Sequence, residues 1–392
     1  MRVAIIIERY DTSLGGAERS VHELAGALQR AGVETDILAA TGRSQTRNVH
    51  ILCGNCQRRV GLEEFSAAVR EHLRSGGYDL VHSTLPMSVA DVYQPRGGTC
   101  AETIIRNAAS YENALIEWFK NGTSWLNLRR GQLLKAEELL CRQKDGPVVA
   151  ALSKYVAEQF KVHYAMPPEK IEVIPNGIKI ENVTDAETVD KMRGQIFVKL
   201  GVQEAANPAI FLFIAHNFRL KGLGPLLRAL AIASKLKNDR PPVVVVAGGG
   251  STTLFKLIAM RLGIRNRLLF LGATKNVPAA IAASDAVVLP TFYDPCSRAI
   301  LEGLAAGKPV ITTSYNGAAE FFENGRHGMV VEQPEDDAEL ARAINYYCNE
   351  ENAAKASDAI KKDRLADFIS VDRHAAQLVK LYERILEKRG RR

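Results

Sequence analysis

Short runs of β-branched and other apolar residues alternate with helix-length amphipathic segments along most of this chain, and the alternation begins twice. Residues 2–7 have the composition of a central parallel strand, buried on both faces. A Gly15-Gly16 loop follows, then an amphipathic segment over 17–31 that Gly32 ends, then a second apolar run at 34–39. Residues 79–82, 148–152 and 171–175 read as further strands, with a helix after Ser153 and a turn at Asn176-Gly177. The stretch 179–207 is polar and charged and reads as a linker holding one helix. The pattern then restarts. Strands are expected at 210–215, 242–247, 267–272, 286–290, 310–313 and 328–331. Helices are expected at 223–236, 277–283 and 297–306, the last closed by Gly307. Residues 371–388 are helical in period. Strands separated by helices make parallel sheets, so the expected fold class is α/β.

A chain of 392 residues exceeds one ordinary core, and 46% hydrophobic with 24% charged residues is globular composition. Two facing Rossmann-like, doubly wound domains with a cleft between them are expected. They span 1–178, with 371–388 packing back on it, and 207–368, with 179–206 as linker. The net charge of +7 suits anionic partners without choosing among them. Zinc-finger spacing, an RNP-type aromatic motif and a basic helix-turn-helix are missing, so nucleic acid is not expected. Six scattered cysteines are too sparse for a disulfide framework and fit a reducing compartment. Cys53-Gly-Asn-Cys56 is a lone C-x-x-C with no second pair, read as two loop cysteines rather than a zinc site. The apolar run before Glu8 is too short for a signal-peptide core, and no run of 18 apolar residues occurs, so any membrane contact is expected to be peripheral.

The segment Phe292-Tyr-Asp294-Pro-Cys296-Ser297-Arg-Ala-Ile-Leu-Glu302, closed by Gly307, begins at the C-terminal end of a strand, where such sheets bind ligands. Cys296 or Ser297 lies near a helix start, whose free amides and dipole suit a phosphate. Asp294 and Glu302 suit sugar hydroxyls, which a carboxylate accepts as hydrogen-bond donors. A P-loop reading of 303–308 fails, because the glycines are one residue too close and Pro309 replaces Ser/Thr. Arg219 and Lys221 follow the first strand of the second half. An isolated R-x-K is ordinarily a solvated loop. Its place between a strand and a helix, followed by Gly222, favours an aim at a diphosphate, where fixed cations stabilise a leaving group. Gly15-Gly16 departs from G-x-G-x-x-G, which weakens a dinucleotide reading, although small residues there let substrate approach the backbone.

The segment from Asp294 to Glu302 resembles the signature of the family-4 retaining glycosyltransferases, which have the GT-B fold. That family carries two acids eight positions apart. The resemblance covers most of the chain, with Gly15-Gly16-Ala17-Glu18-Arg19, Pro175-Asn176-Gly177-Ile178, Phe218-Arg219-Leu220-Lys221-Gly222, Gly248-Gly249-Gly250 and Gly317 to Glu320 in the family's order. It implies that Asp294 holds donor-sugar hydroxyls and Glu302 the ribose. Arg219, Lys221 and the helix start at Cys296 and Ser297 would grip the diphosphate. The loop of Thr274, Asn276 and Val277 would receive the base, and the Gly16 amide would meet the donor phosphate or the acceptor. It also implies no essential metal or cofactor. Arg96 and Gly97 stand where many members carry His or Asp, Cys296-Ser297 where an aromatic residue and Gly are frequent, and Lys179 where Asp is frequent.

Trp118 and Trp125 share one stretch with Arg129 and Arg130, and 103–144 holds seven Lys/Arg against four Asp/Glu. This fits an interfacial contact with an anionic membrane and equally a helix pair capping the first domain. The placement resembles the membrane-facing insertion of lipopolysaccharide-core glucosyltransferases, which also carry the pattern of Asp91-Val92-Tyr93 and Ala101-Glu102. The resemblance implies transfer of a hexose, with glucose expected, from UDP-glucose or a close relative to a lipid-linked or lipopolysaccharide-core glycan. The acceptor would pass Arg96, Gly97 and Glu102, in a cytoplasmic enzyme peripheral at the inner membrane face. The alternatives are a nucleotide-sugar 2-epimerase of the same fold and a non-catalytic sugar- or lipid-binding relative.

Overall fold

The computed structural model describes residues 1–11, 16–44, 46–54, 60–111, 128–180, 184–203, 206–238, 240–274 and 276–390. They form two compact units: Met1–Ala108, Leu115–Lys179 and Ser370–Arg392 in the first, Ala109–Ala114 and Ile180–Ile369 in the second.

The first unit is built on a seven-stranded sheet of order β3-β2-β1-β4-β5-β6-β7, parallel throughout. Its strands are β1 (Arg2–Tyr10), β2 (Glu34–Gly42), β3 (Val49–Ile51), β4 (Leu80–Ser83), β5 (Val92–Tyr93), β6 (Val148–Ala151) and β7 (Ile171–Val173). The β-branched run in β1 is needed because both of its faces are buried. Val3, Ile5 and Ile7 enter one cluster, while Ala4 and Ile6 enter another on the opposite side. The first cluster is closed by α1 (Gly16–Arg30), which Gly32 ends at φ +80°, and by the C-terminal helix α14 (Val371–Gly390). Between them lie α2 (Leu62–Gly76), α3 (Cys100–Ala109), α4 (Leu128–Arg142) and α5 (Lys154–Tyr164), the last capped by the Ser153 hydroxyl on the Val156 amide at 3.2 Å. Fully buried Glu137 of α4 accepts from the Tyr93 hydroxyl and the Cys100 amide, each at 2.6 Å, and from the Tyr164 hydroxyl. One carboxyl thus ties α4 to β5, α5 and the start of α3, and burial pushes its pKa up.

The second unit has a six-stranded parallel sheet of order β10-β9-β8-β11-β12-β13. The strands are β8 (Ala209–Ile214), β9 (Pro242–Ala247), β10 (Leu268–Gly272), β11 (Ala286–Leu289), β12 (Val310–Thr313) and β13 (Gly328–Val331). Its helices are α6 (Ala186–Leu200), α7 (Leu223–Ala233), α8 (Thr253–Arg261), α9 (Val277–Ala283), α10 (Arg298–Ala305), α11 (Asp337–Cys348), α12 (Glu350–Lys362) and α13 (Leu365–Phe368). The polar stretch read as a linker carries α6, started by the Asp185 side chain on the Thr188 amide at 2.8 Å. Its buried residues Ile196, Phe197 and Leu200 give it an apolar stripe that packs on α9 and β10, so α6 belongs to the second unit. Gly307 follows α10 at φ +70°, where the Lys308 amide reaches back to the Gly303 carbonyl at 2.9 Å. Among the described residues no helix is long and apolar enough to cross a membrane.

Beneath α14 the first unit buries two imidazoles. His82 donates or accepts at 2.5 Å with the Tyr382 hydroxyl, and His374 donates to the Pro175 carbonyl at 2.7 Å. Burial, then the nearby Arg96 charge, lowers the His82 pKa to about 3, and the same causes hold His374 well below its ordinary value. The unfolded chain therefore binds more protons than the folded one below the ordinary histidine range, and stability falls as pH falls. From about pH 7 to about pH 5, His82 alone should cost about 2 kcal/mol. Denaturant midpoints at the two pH values should show this slope, and His82→Asn should flatten it by that amount; an equal slope in the variant would refute the assignment.

Candidate functional site

In the second unit β8 and β11 are neighbours, but the chain leaves β8 toward β9 on one side and β11 toward β12 on the other. Their C-terminal loops therefore diverge, and such a switch point leaves room for a ligand at the strand ends. These two loops carry Arg219 and Lys221 after β8, and Asp294 and Ser297 after β11.

The β8 loop is shaped locally. The Asn217 carbonyl accepts from the Lys221 amide at 3.0 Å, and its side-chain oxygen from the Leu220 amide at 3.2 Å. Gly222 then takes φ +81°, and a Cβ there would stand 1.8 Å from the Pro290 carbonyl oxygen, so only glycine lets the two loops come this close. The Lys221 ammonium donates to Asp294 Oδ2 at 2.7 Å and to the Tyr293 carbonyl at 2.8 Å. The two side chains keep 20% and 14% of their exposure, so solvent still reaches the pair and its contribution to stability is small. What the contact does is hold a cation and a carboxylate at one point.

Asp294 is fixed by its backbone. Its amide donates to the Tyr315 carbonyl and its carbonyl accepts from the Gly317 amide, both at 2.9 Å, while Oδ1 accepts from the Cys296 amide at 3.2 Å. Ser297 caps α10 through its hydroxyl, which accepts from the Ile300 amide at 3.5 Å, and its own amide donates to Asn316 Oδ1 at 3.1 Å. The first turn of α10, the positive end of its dipole, thus begins at Arg298, four residues after Asp294, and is tied to it through the Cys296 amide. One turn further, Glu302 receives Arg298 at 3.2 Å.

The other expected residues are placed as follows. Arg219 stacks its guanidinium on Tyr111 at 3.6 Å from the ring centre and donates to the Ser110 hydroxyl, both residues grouped with the second unit. Asn276 caps α9 by accepting from the Ala279 amide at 3.3 Å, and its amide donates to the Thr274 hydroxyl at 3.1 Å, with Val277 opening the helix. In the first unit Gly16 opens α1 and is exposed. Arg96 donates to Asn176 at 3.2 Å, and exposed Gly97 accepts from the Thr103 hydroxyl at 3.2 Å. Glu102 is buried among Arg106 at 2.7 Å, His163 at 2.8 Å and Tyr155 at 3.4 Å. Burial raises its pKa, and the bonds from Arg106 and His163 outweigh this and hold it below the ordinary range. Arg129 pairs with Glu8 and donates to the Val60 carbonyl at 3.1 Å, while Arg130 is exposed. Trp118, Trp125 and Cys56 lie outside the described residues. Among the described residues no group of three or more His, Cys, Asp or Glu side chains could hold a metal.

Three contributors are not in the sequence reading: Asn316, and the Ser110–Tyr111 pair that engages Arg219. The turn dipeptide Asn316-Gly317 was a signal for the first. Nothing local marks the second.

Two family descriptions match the sequence, Glycosyltransferase Family 4 over residues 14–182 and Glycosyl transferases group 1 over residues 199–364. The chain belongs to the family-4 glycosyltransferases. Together the two matches take in every strand but β1 and the loops after β8 and β11. Among its relatives is the lipopolysaccharide glucosyltransferase WaaG of Escherichia coli K12, 24% identical over 282 residues, which are 72% of this chain and 71% of that protein. A crystal structure of WaaG superposes with TM-score 0.76 at 20% identity, covering 97% of this chain and 99% of the other. The Anabaena protein Alr3699/HepE, solved with UDP and glucose, gives 0.72 at 19% identity and covers 98% and 99%. At these identities the likeness shows a common fold, the GT-B fold with its two Rossmann-like domains.

Asn316 ties the start of α10 to the end of β12. It is 1% exposed, accepts from the amides of Ser297 and Ala318, and donates to the Thr312 hydroxyl at 2.9 Å. Asn316→Ala strands two amides in the interior and should cost about 3 kcal/mol, read as a lowered denaturant midpoint. A loss under about 1 kcal/mol would mean that water replaces the side chain and that it does not hold the start of α10.

Proposed function

We propose that this protein is a retaining hexosyltransferase that moves glucose, or a close relative of it, from a UDP-sugar to a glycan on a lipid carrier or lipopolysaccharide core. The observation that carries the reading is the Lys221–Asp294 contact at 2.7 Å, set at a sheet switch point beside the first turn of α10. WaaG is named a lipopolysaccharide glucosyltransferase, and HepE holds UDP and glucose in its crystal, which supports the choice of donor and acceptor class.

In this reading the diphosphate lies at the helix start formed by Cys296 and Ser297, where their own amides already serve Asp294 and Asn316, so it meets the positive end of α10 and the first-turn amides beyond them. Lys221 exchanges its bond to the Tyr293 carbonyl for a phosphate oxygen, and Arg219 adds charge from the same loop. Asp294 accepts hydrogen bonds from donor-sugar hydroxyls, and Glu302 from the ribose. The base lies along the backbone of Thr274, Asn276 and Val277. The Asn276 and Glu302 side chains already have partners, so backbone supplies most of the base contact and Glu302 shares its oxygens with Arg298. Gly16, Arg96 and Gly97 of the first unit are assigned to the acceptor. Glu102, enclosed by Arg106 and His163, shapes that loop from behind.

As the bond from the anomeric carbon to the diphosphate oxygen breaks, negative charge grows on the departing phosphate, and Lys221, Arg219 and the helix dipole stabilise it. The acceptor oxygen bonds to the anomeric carbon on the same face, and its proton passes to the departing phosphate oxygen. No side-chain base and no essential metal enter this scheme. The enzyme would work at the cytoplasmic face of a membrane.

Lys221→Ala should lower kcat for UDP release with an accepted glycan by about 10²–10³-fold, because a donor that acts on developing charge is removed. Affinity for UDP itself, measured by calorimetry, should weaken by less than about tenfold, since the helix amides remain. A kcat equal to that of the parent enzyme would end the phosphate role for Lys221.

A further inference from the structure

Helix α8, which links β9 to the edge strand β10, seats Phe255 and Ala259 in the interior of the second unit. Its other side is apolar as well. Leu254, Leu257 and Met260 are 58%, 39% and 55% exposed, three large apolar side chains within nine residues. At 100° per residue Leu257 and Met260 share the centre of the outward face, with Leu254 and Arg261 on one margin and Lys256 on the other. Arg265 lies in the turn that follows, and Lys256, Arg261 and Arg265 are all exposed. From residue 241 to residue 284 the sequence holds five Lys/Arg and no Asp or Glu.

Single exposed leucines are ordinary on protein surfaces. An outward apolar stripe bordered by cations, in a stretch without one carboxylate, is the pattern of a helix that lies in a membrane interface. A second copy of this chain fits poorly, since two such faces bring like charges together and three side chains cover far less than the roughly 1,200 Å² of a stable interface. We propose that α8 is a membrane-contact surface, with Leu254, Leu257 and Met260 entering the headgroup boundary of an anionic bilayer and Lys256, Arg261 and Arg265 over the lipid phosphates. It is separate from the tryptophan-bearing stretch of the first half. It also stands apart from the donor and acceptor proposed above, because adsorption is read without turnover.

The test is co-sedimentation of the full chain with vesicles of phosphatidylcholine alone and of phosphatidylcholine with about one-third phosphatidylglycerol, at about 0.1 M salt where surface charges are still felt. The parent protein should adsorb to the anionic vesicles far more than to the neutral ones. Each cation near such a surface strengthens binding about fivefold, so Lys256→Gln/Arg261→Gln/Arg265→Gln should weaken adsorption on the order of 100-fold. Leu257→Ser/Met260→Ser should weaken it at unchanged charge. Both variants alter exposed side chains only, and an unchanged thermal midpoint with unchanged UDP binding identifies them as folded. Parent-like adsorption of the folded variants overturns the proposal, as does failure of the parent protein to adsorb. A parent dimer that Leu257→Ser/Met260→Ser converts to monomer also overturns it, in favour of a second copy on this face.

Discussion

Two neighbouring parallel strands that send the chain in opposite directions leave their terminal loops with no helix between them. That constraint, at β8 and β11, decides what the second unit can hold. The loops then have to approach each other closely, and Gly222 permits it, because a side chain there would collide with the Pro290 carbonyl. Lys221 and Asp294 meet as a consequence. In open water the pair would be worth little. Fixed at both ends by backbone hydrogen bonds, it would, in the function proposed above, keep a cation at hand for phosphate and a carboxylate at hand for hydroxyls without either group having to be ordered when substrate arrives.

Much of the fold is legible in the sequence because parallel strands must be apolar on both faces. The Ile run of β1 and the Val run of β9 have no other use, and the strands from β8 to β13 fall within a few residues of where composition places them. Helix ends are equally readable where chemistry is local: Ser153 and Ser297 cap, Gly32 and Gly307 terminate. The one helix expected within 179–207 is α6, and its short stripe of Ile196, Phe197 and Leu200 docks that charged stretch on α9 and β10.

The site divides in the same way. Asp294, Ser297 and Lys221 were visible because each sits at a strand end or helix start, and backbone geometry gives such positions meaning. The engagement of Arg219 with Ser110 and Tyr111 joins residues more than 100 positions apart, and no periodicity announces it. Glu102 shows the converse. A carboxylate in a suggestive place is enclosed by Arg106, His163 and Tyr155, so its charge is satisfied by packing partners. In the first unit, Arg96 is bonded to Asn176, and after burial its charge is what holds the His82 and His374 imidazoles below their ordinary pKa.

The central claim is that a diphosphate sits where the loops after β8 and β11 meet the start of α10. A crystal structure of the enzyme with a UDP-sugar tests it most directly. The account predicts phosphate oxygens within about 3 Å of the Lys221 ammonium and of first-turn amides of α10, with sugar hydroxyls on Asp294. A nucleotide bound elsewhere, or a Lys221 still bonded to both Asp294 and the Tyr293 carbonyl with no phosphate contact, would contradict it.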